Sequence, residues 1–166
     1  MKIFTYPDPV LRSRAEPVDE IDEDLLFLID DMIQTMYDAP GIGLAANQVG
    51  VLKRVIVFES FSVEGEKHPE VLINPEFVFK EGKITSEEAC LSVIDYAADV
   101  HRASHVIVKG LDRNGNPVEI EAEDLKAICL QHEVDHLDGT LFIDHISSLK
   151  RSLYKKRLKK KLKENG

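Results

Sequence analysis

Two histidines four residues apart, with a glutamate directly after the first, stand in the stretch AICLQHEVDHLDGTLF (127–142). Residues four apart share one face of a helix, so His132 and His136 can grip a single metal ion. Glu133 is then the nearby acid/base of an H-E-x-x-H pattern, a signature of metal-assisted hydrolysis. Two side chains hold a metal poorly, because catalytic sites of this kind use three protein ligands and keep one position for water. The chemistry therefore turns on the third donor.

The protease routes to that donor fail. In the longer pattern H-E-x-x-H-x-x-G-x-x-H, Gly139 falls in place, but Phe142 stands where the histidine belongs and His145 comes three residues late. A later glutamate is the other route, and the only one after Glu133 is Glu164, inside a lysine-rich tail. Two cysteines remain. Cys129 shares the helical face, but its Cα lies roughly 10.5 Å from that of His136 at about 1.5 Å per residue, too far for a short side chain. Cys129 reads as apolar wall one turn before the first ligand. Cys90, in SEEACLSV (86–93), must arrive from another element and is the remaining candidate. A further segment, GIGLAANQVG (41–50), is rich in small residues that allow close backbone approach. It fits a tight turn packed on a sheet as well as a functional loop presenting the Gln48 amide.

These donors need a frame. DEDLLFLIDDMIQTMYDA (22–39) has apolar residues at helical spacing, and Pro40-Gly41 ends it. RVIVFES (54–60) reads as a strand, and VLINPEFVFKEG (71–82) as a strand interrupted at Asn74-Pro75. Residues 105–123 alternate on both sides of Asn114-Gly115, a hairpin signal. A second helix is predicted from about Asp124 to Asp138 and a third after Ser147. This order predicts an α+β fold, with mixed or antiparallel sheets packed around a central metal-binding helix and with N- and C-terminal helices. The expected organisation is one catalytic domain, 1–148, extended by a basic C-terminal helix, 149–166.

Three segments taken together resemble peptide deformylase, the family that removes the formyl group from the N-terminal methionine of new polypeptides. Its motifs G-x-G-x-A-A-x-Q, E-G-C-L-S and Q-H-E-x-D-H read here GIGLAANQ (41–48), EACLS (88–92) and QHEVDH (131–136). The resemblance implies Cys90, His132 and His136 as ligands of one divalent metal ion, Fe2+ natively and replaceable by Ni2+, Co2+ or Zn2+. It implies Glu133 as acid/base, with Gln48 and the Leu91 backbone N–H as donors to the developing oxyanion. It further implies a methionine pocket lined by Ile42, Leu125, Ile128 and Cys129, and a peptide held as an added strand by backbone groups of Gly43 and Ala89. Ala89 replaces the usual glycine, Ile94 stands where many members have proline, and Ala97 stands near where many have an arginine. These departures bear on substrate affinity, not on metal chemistry. Two alternatives stand beside this reading: an H-E-x-x-H zinc peptidase, and a deformylase-like, ribosome-associated protein of weakened activity.

Bulk properties narrow the setting. The 166 residues are 43% hydrophobic, enough for one domain with a core. Two cysteines are too few for a disulfide scaffold. No apolar run approaches a membrane span, and the N-terminus lacks a leader's apolar stretch, so a soluble cytoplasmic protein is expected. Net charge is −9 but uneven. Nine of 21 basic residues fall in 150–163, leaving 12 in residues 1–149 against 29 of the 30 acids. Leu149, Leu153, Tyr154, Leu158 and Leu162 share that tail at helical spacing, and its first half is expected to dock its leucines on the body. The basic remainder suits phosphate backbone, and the resemblance points to the ribosome, with no membrane or DNA partner.

Overall fold

The computed structural model describes residues 1–61 and 65–165. Position 166, the end of the predicted basic extension, lies outside the described residues. The first helix, α1 (Glu23–Asp38), is capped by Asp22, whose side chain accepts a hydrogen bond from the Leu25 N–H. It leads into β1 (Gly43–Ala45) and, after a 3-10 turn at Ala46–Val49, into β2 (Val55–Glu59). β3 (Pro69–Glu81), β4 (Ile84–Cys90), β5 (Val93–Arg102), β6 (His105–Leu111) and β7 (Pro117–Glu123) follow. α2 (Asp124–Leu137) starts directly from β7, and α3 (Ser148–Asn165) closes the chain.

The strands form a five-stranded sheet of order β1-β2-β3-β6-β7 and a separate β4-β5 hairpin, every strand pair antiparallel. β2 explains why one sheet can sit between two helices. Val55 and Val57 face the cluster of Leu25, Ile29, Met32 and Met36 from α1. Ile56 and Phe58 face the cluster of Ala127, Leu130, Val134 and Leu137 from α2. Burial on both faces accounts for the unbroken apolar run VIVF. The hairpin at Asn114-Gly115 forms as expected, with Gly115 at φ +81.

β3 runs on past Asn74-Pro75, and the predicted interruption there is a bulge. The register slips between Ile73 and Glu76, and Asn74 takes φ +53. The bulge absorbs the proline, which has no N–H to give the ladder. Asn74 is pinned by its amide, which accepts from the Val18 N–H at 2.8 Å and donates to the Val18 carbonyl at 2.9 Å.

α3 docks differently from the expectation. Leu149 and Leu153 are 69% and 58% exposed, whereas Tyr154 is buried and Leu158 is partly so. The Tyr154 ring stacks on Tyr96 with centroids 4.6 Å apart. Tyr154 and Leu158 form an i, i+4 stripe set about 100° round the helix from Leu153. The bulkier aromatic stripe thus takes the body, and the leucines at 149 and 153 are left outside. No helix among the described residues is long and apolar enough to cross a membrane.

Candidate active site

α2 passes through the middle of the molecule, and ten of its 14 residues are buried, which is why it shows no clean polar face. His132 and His136 project from it side by side, their Nε2 atoms 3.3 Å apart. The third donor comes from the end of β4. The Cys90 Sγ lies 3.3 Å from His136 Nε2, and one donor atom from each of the three residues falls within 4.8 Å of the others. A bulge at Ala89/Cys90, where the β4–β5 ladder shifts, turns the sulfur toward α2.

Of the two imidazoles, His132 is braced from behind, whereas the buried His136 Nδ1 has no hydrogen-bond partner among the described residues. His132 Nδ1–H donates to Glu88 Oε1 at 2.9 Å, which turns Nε2 toward the other two donors. Glu88 in turn accepts two bonds from the buried Arg102 guanidinium, both 2.9 Å. Arg102 also donates to Asp135 at 2.6 Å, and His145 donates to that same carboxylate oxygen at 2.9 Å. Burial alone pushes the Glu88 carboxyl up, yet the bonds from Arg102 and His132 more than offset this and hold it at about 2. Sequence reasoning missed Glu88, Arg102 and Asp135. Glu88 and Asp135 fall inside the two motifs already singled out, whereas nothing local marks Arg102.

The residues present fit a divalent cation. A thiol and two imidazoles converge without enough protons to satisfy one another. Burial disfavours charge on both rings, but bonds to Cys90 and Glu88 push His132 up, while burial and the neighbouring His132 push His136 down. A cation among the three donors would do for all of them what a shared proton does for one pair. The donor set matches the Cys/His chemistry of catalytic metal sites with an open position.

That open side faces a cavity of about 370 Å³. Cys90, Leu91, His132, Glu133 and Gln48 line its inner end. Ile42, Gly43, Ala89, Leu125, Ile128 and Cys129 line the rest, with Ile42 and Leu125 half exposed at the mouth and Ile128 and Cys129 buried at the floor. Glu133 is buried, its Oε1 has no hydrogen-bond partner among the described residues, and burial pushes its carboxyl up to about 7. Burial beside Glu133 also pushes the Cys129 thiol well up, so it stays neutral as wall, its Sγ 3.5 Å from the Ile42 carbonyl. Gln48 is fixed by both ends of its amide. Its Oε1 accepts from the Ala45 N–H at 3.0 Å, and its Nε2 donates to Ser92 Oγ at 3.1 Å and toward Cys90 Sγ at 3.7 Å. A Cβ on Gly43 would meet Glu133 Oε2 at 2.5 Å, so only glycine lets β1 run this close to the glutamate.

Residues 1–152 match the family model for polypeptide deformylase. The chain belongs to the polypeptide deformylase family. Among curated deformylases it is 56% identical to that of Thermodesulfovibrio yellowstonii, over 97% of this chain and 98% of that one. It is 51% identical to that of Alkalilimnicola ehrlichii, over 99% and 92%. A deformylase crystal structure from Legionella pneumophila superposes with a TM-score of 0.89 at 47% identity, covering 99% of this chain and 96% of that one. Another, from Ehrlichia chaffeensis in complex with actinonin, gives 0.90 at 40% identity over 97% and 96%. Deformylases depend on a metal, and this chain carries the Cys/His/His group that such a metal requires.

Proposed function

We propose that this chain hydrolyses the formyl amide at the N-terminal methionine of newly made polypeptides, releasing formate and a free α-amine. One observation supports it above the rest: Cys90, His132 and His136 converge beside Glu133 at the inner end of a groove, in a chain of the deformylase family. The zinc-peptidase reading is not favoured, since the third donor is the one that separates deformylases from H-E-x-x-H peptidases.

Cys90, His132 and His136 would hold one divalent ion, with Fe2+ the native metal and Ni2+, Co2+ or Zn2+ substitutes. Bound there, the ion supplies Lewis acidity and makes water nucleophilic near neutral pH. Glu133 takes the proton of the attacking water and hands it to the leaving amine, a task suited to a buried carboxyl raised from its ordinary value. The Gln48 amide and the Leu91 N–H donate to the formyl oxygen as negative charge develops, and losing one such donor costs about 10²–10³ in rate. Ser92, by accepting from Gln48, orients that amide. Ile42, Leu125, Ile128 and Cys129 enclose the methionine side chain. β1 and β4 both stand at sheet edges, so the backbones of Gly43 and Ala89 can hold the peptide as a strand between them.

The basic outer face of α3 serves the ribosome, where substrate emerges, and the protein works in the cytoplasm. The catalytic domain ends before this helix, at about residue 148. The test is formate release from formyl-Met-Ala by anaerobically purified protein. We expect release with the wild-type chain, and none from Glu133→Ala that still carries metal. Cleavage of unformylated peptides, or wild-type turnover by Glu133→Ala, would overturn the reading.

A further inference from the structure

We propose that Tyr37 and Glu59 are positioning residues for the methionine pocket, pinning its Ile42 wall from behind, a reading that rests on the deformylase function above. Neither side chain lines the groove. Ile42 belongs to the connector 39–42 between α1 and β1, which sends Pro40, Gly41 and Ile42 to the groove. The rest of the pocket, Leu125, Ile128 and Cys129, comes from α2. The width of the pocket therefore depends on how firmly the connector is held. β1 itself begins only at Gly43, paired with Phe58, so Ile42 stands where the strand pairing ends. Two backbone bonds tie the connector there. The Gly41 N–H donates to the Met36 carbonyl at 2.8 Å, and the Ile42 carbonyl accepts from the Glu59 N–H at 2.9 Å.

The Glu59 carboxylate closes the arrangement. Its Oε2 accepts from the Tyr37 hydroxyl, in the last turn of α1, and its Oε1 accepts from the His68 N–H at 2.8 Å, just before β3. One half-buried side chain thus joins three segments while its own N–H holds Ile42. Bonds to an ionised acceptor are the strong ones. Burial and the bond to Glu59 push the Tyr37 phenol up to about 12, so it stays a donor at neutral pH. With the connector pinned, the methionine side chain meets a wall already in place. With the pin gone, Ile42 is free to retreat from α2, and methionine loses packing. Glu133 and the metal donors, held by α2 and β4, stay where they are. The loss therefore falls on binding rather than on the chemical step.

The experiment measures kcat and KM of the metal-loaded enzyme for formyl-Met-Ala and for formyl-Ala-Ala. Tyr37→Phe keeps the ring and removes the hydroxyl. Glu59→Gln keeps the shape but has only one oxygen for the two donors. In Tyr37→Phe, KM for formyl-Met-Ala should rise about fivefold, the effect of one lost hydrogen bond, with kcat within about twofold of the wild type. The preference for methionine over alanine in kcat/KM should fall about fivefold in both variants. Each preference is read within one enzyme, so a general change in rate or in folded fraction does not enter it. Denaturant midpoints are measured alongside. Lowered midpoints with an unchanged KM and an unchanged preference would make the pair merely structural and overturn the inference. A fall in kcat alone, at unchanged preference, overturns it too. Either result, with formate still released, leaves the deformylase function standing.

Discussion

Glu88 Oε1 sits 2.9 Å from His132 Nδ1 and ties the first histidine of α2 to the strand that delivers Cys90. The same element thus carries one donor and orients another. Glu88→Gln keeps the shape but removes the charge that fixes the imidazole tautomer and answers Arg102. Metal affinity should fall about 10–100-fold, read by competition with a chelator, and stability should drop by about 3 kcal/mol. An unchanged metal off-rate would separate Glu88 from the site.

The pH dependence of stability follows from the same carboxyl. Its folded pKa, about 2, lies below its ordinary 4.5, so ionised Glu88 stabilises the fold fully above about pH 4.5. That contribution is lost as pH falls from there toward 2. With chelator present throughout, so that metal loss does not intervene, denaturant midpoints of the wild type should fall across this window more steeply than those of Glu88→Gln. Parallel curves would contradict the assignment.

Gly43→Ala probes the closest approach in the groove. Its Cβ would lie 2.5 Å from Glu133 Oε2 and 2.9 Å from Cys129 Sγ, so Glu133 must move. Turnover should fall about 10²-fold, as expected for an acid/base displaced by about 1 Å, while metal content stays that of the wild type. Full activity would mean that Glu133 has room the structure does not show.

α3 divides into a docked stripe and a free basic face. Tyr154→Ala should cost about 3 kcal/mol in unfolding experiments, because the ring is buried against Tyr96. Replacing Lys156, Lys159, Lys160 and Lys163 by glutamine should change stability by less than about 0.5 kcal/mol. These four are exposed and form no ion pair among the described residues. Ribosome binding by that variant should weaken and depend less steeply on salt. Identical salt slopes would place the ribosome contact elsewhere or remove it.

The parts of the site that obey a local period were legible in the sequence. His132 and His136 follow from helical spacing, the hairpin at Asn114-Gly115 from turn chemistry, and α1 from its apolar stripe. The β4–β5 hairpin was not read as strands. β4 spends Glu88 and Cys90 of its inner face on the site and carries Glu87 and Ala89 outside, so the apolar alternation that marks a strand is missing there, although β5 alternates at Tyr96, Ala98 and Val100. Arg102 was illegible for a related reason. A buried guanidinium is stable only because Glu88 and Asp135 meet it from two other elements, and no local pattern announces that meeting. The docked face of α3 was misjudged because leucine spacing alone does not say which of two neighbouring stripes finds an aromatic partner.

The most direct test of the account is the absorption spectrum of the cobalt-loaded protein. If Cys90, His132 and His136 share one ion, the wild type binds one equivalent of Co2+ and shows a thiolate-to-cobalt charge-transfer band. Cys90→Ser should abolish the band and Cys129→Ser should leave it intact. A band that survives Cys90→Ser, or that disappears with Cys129→Ser, would contradict the convergence on which the proposed chemistry depends.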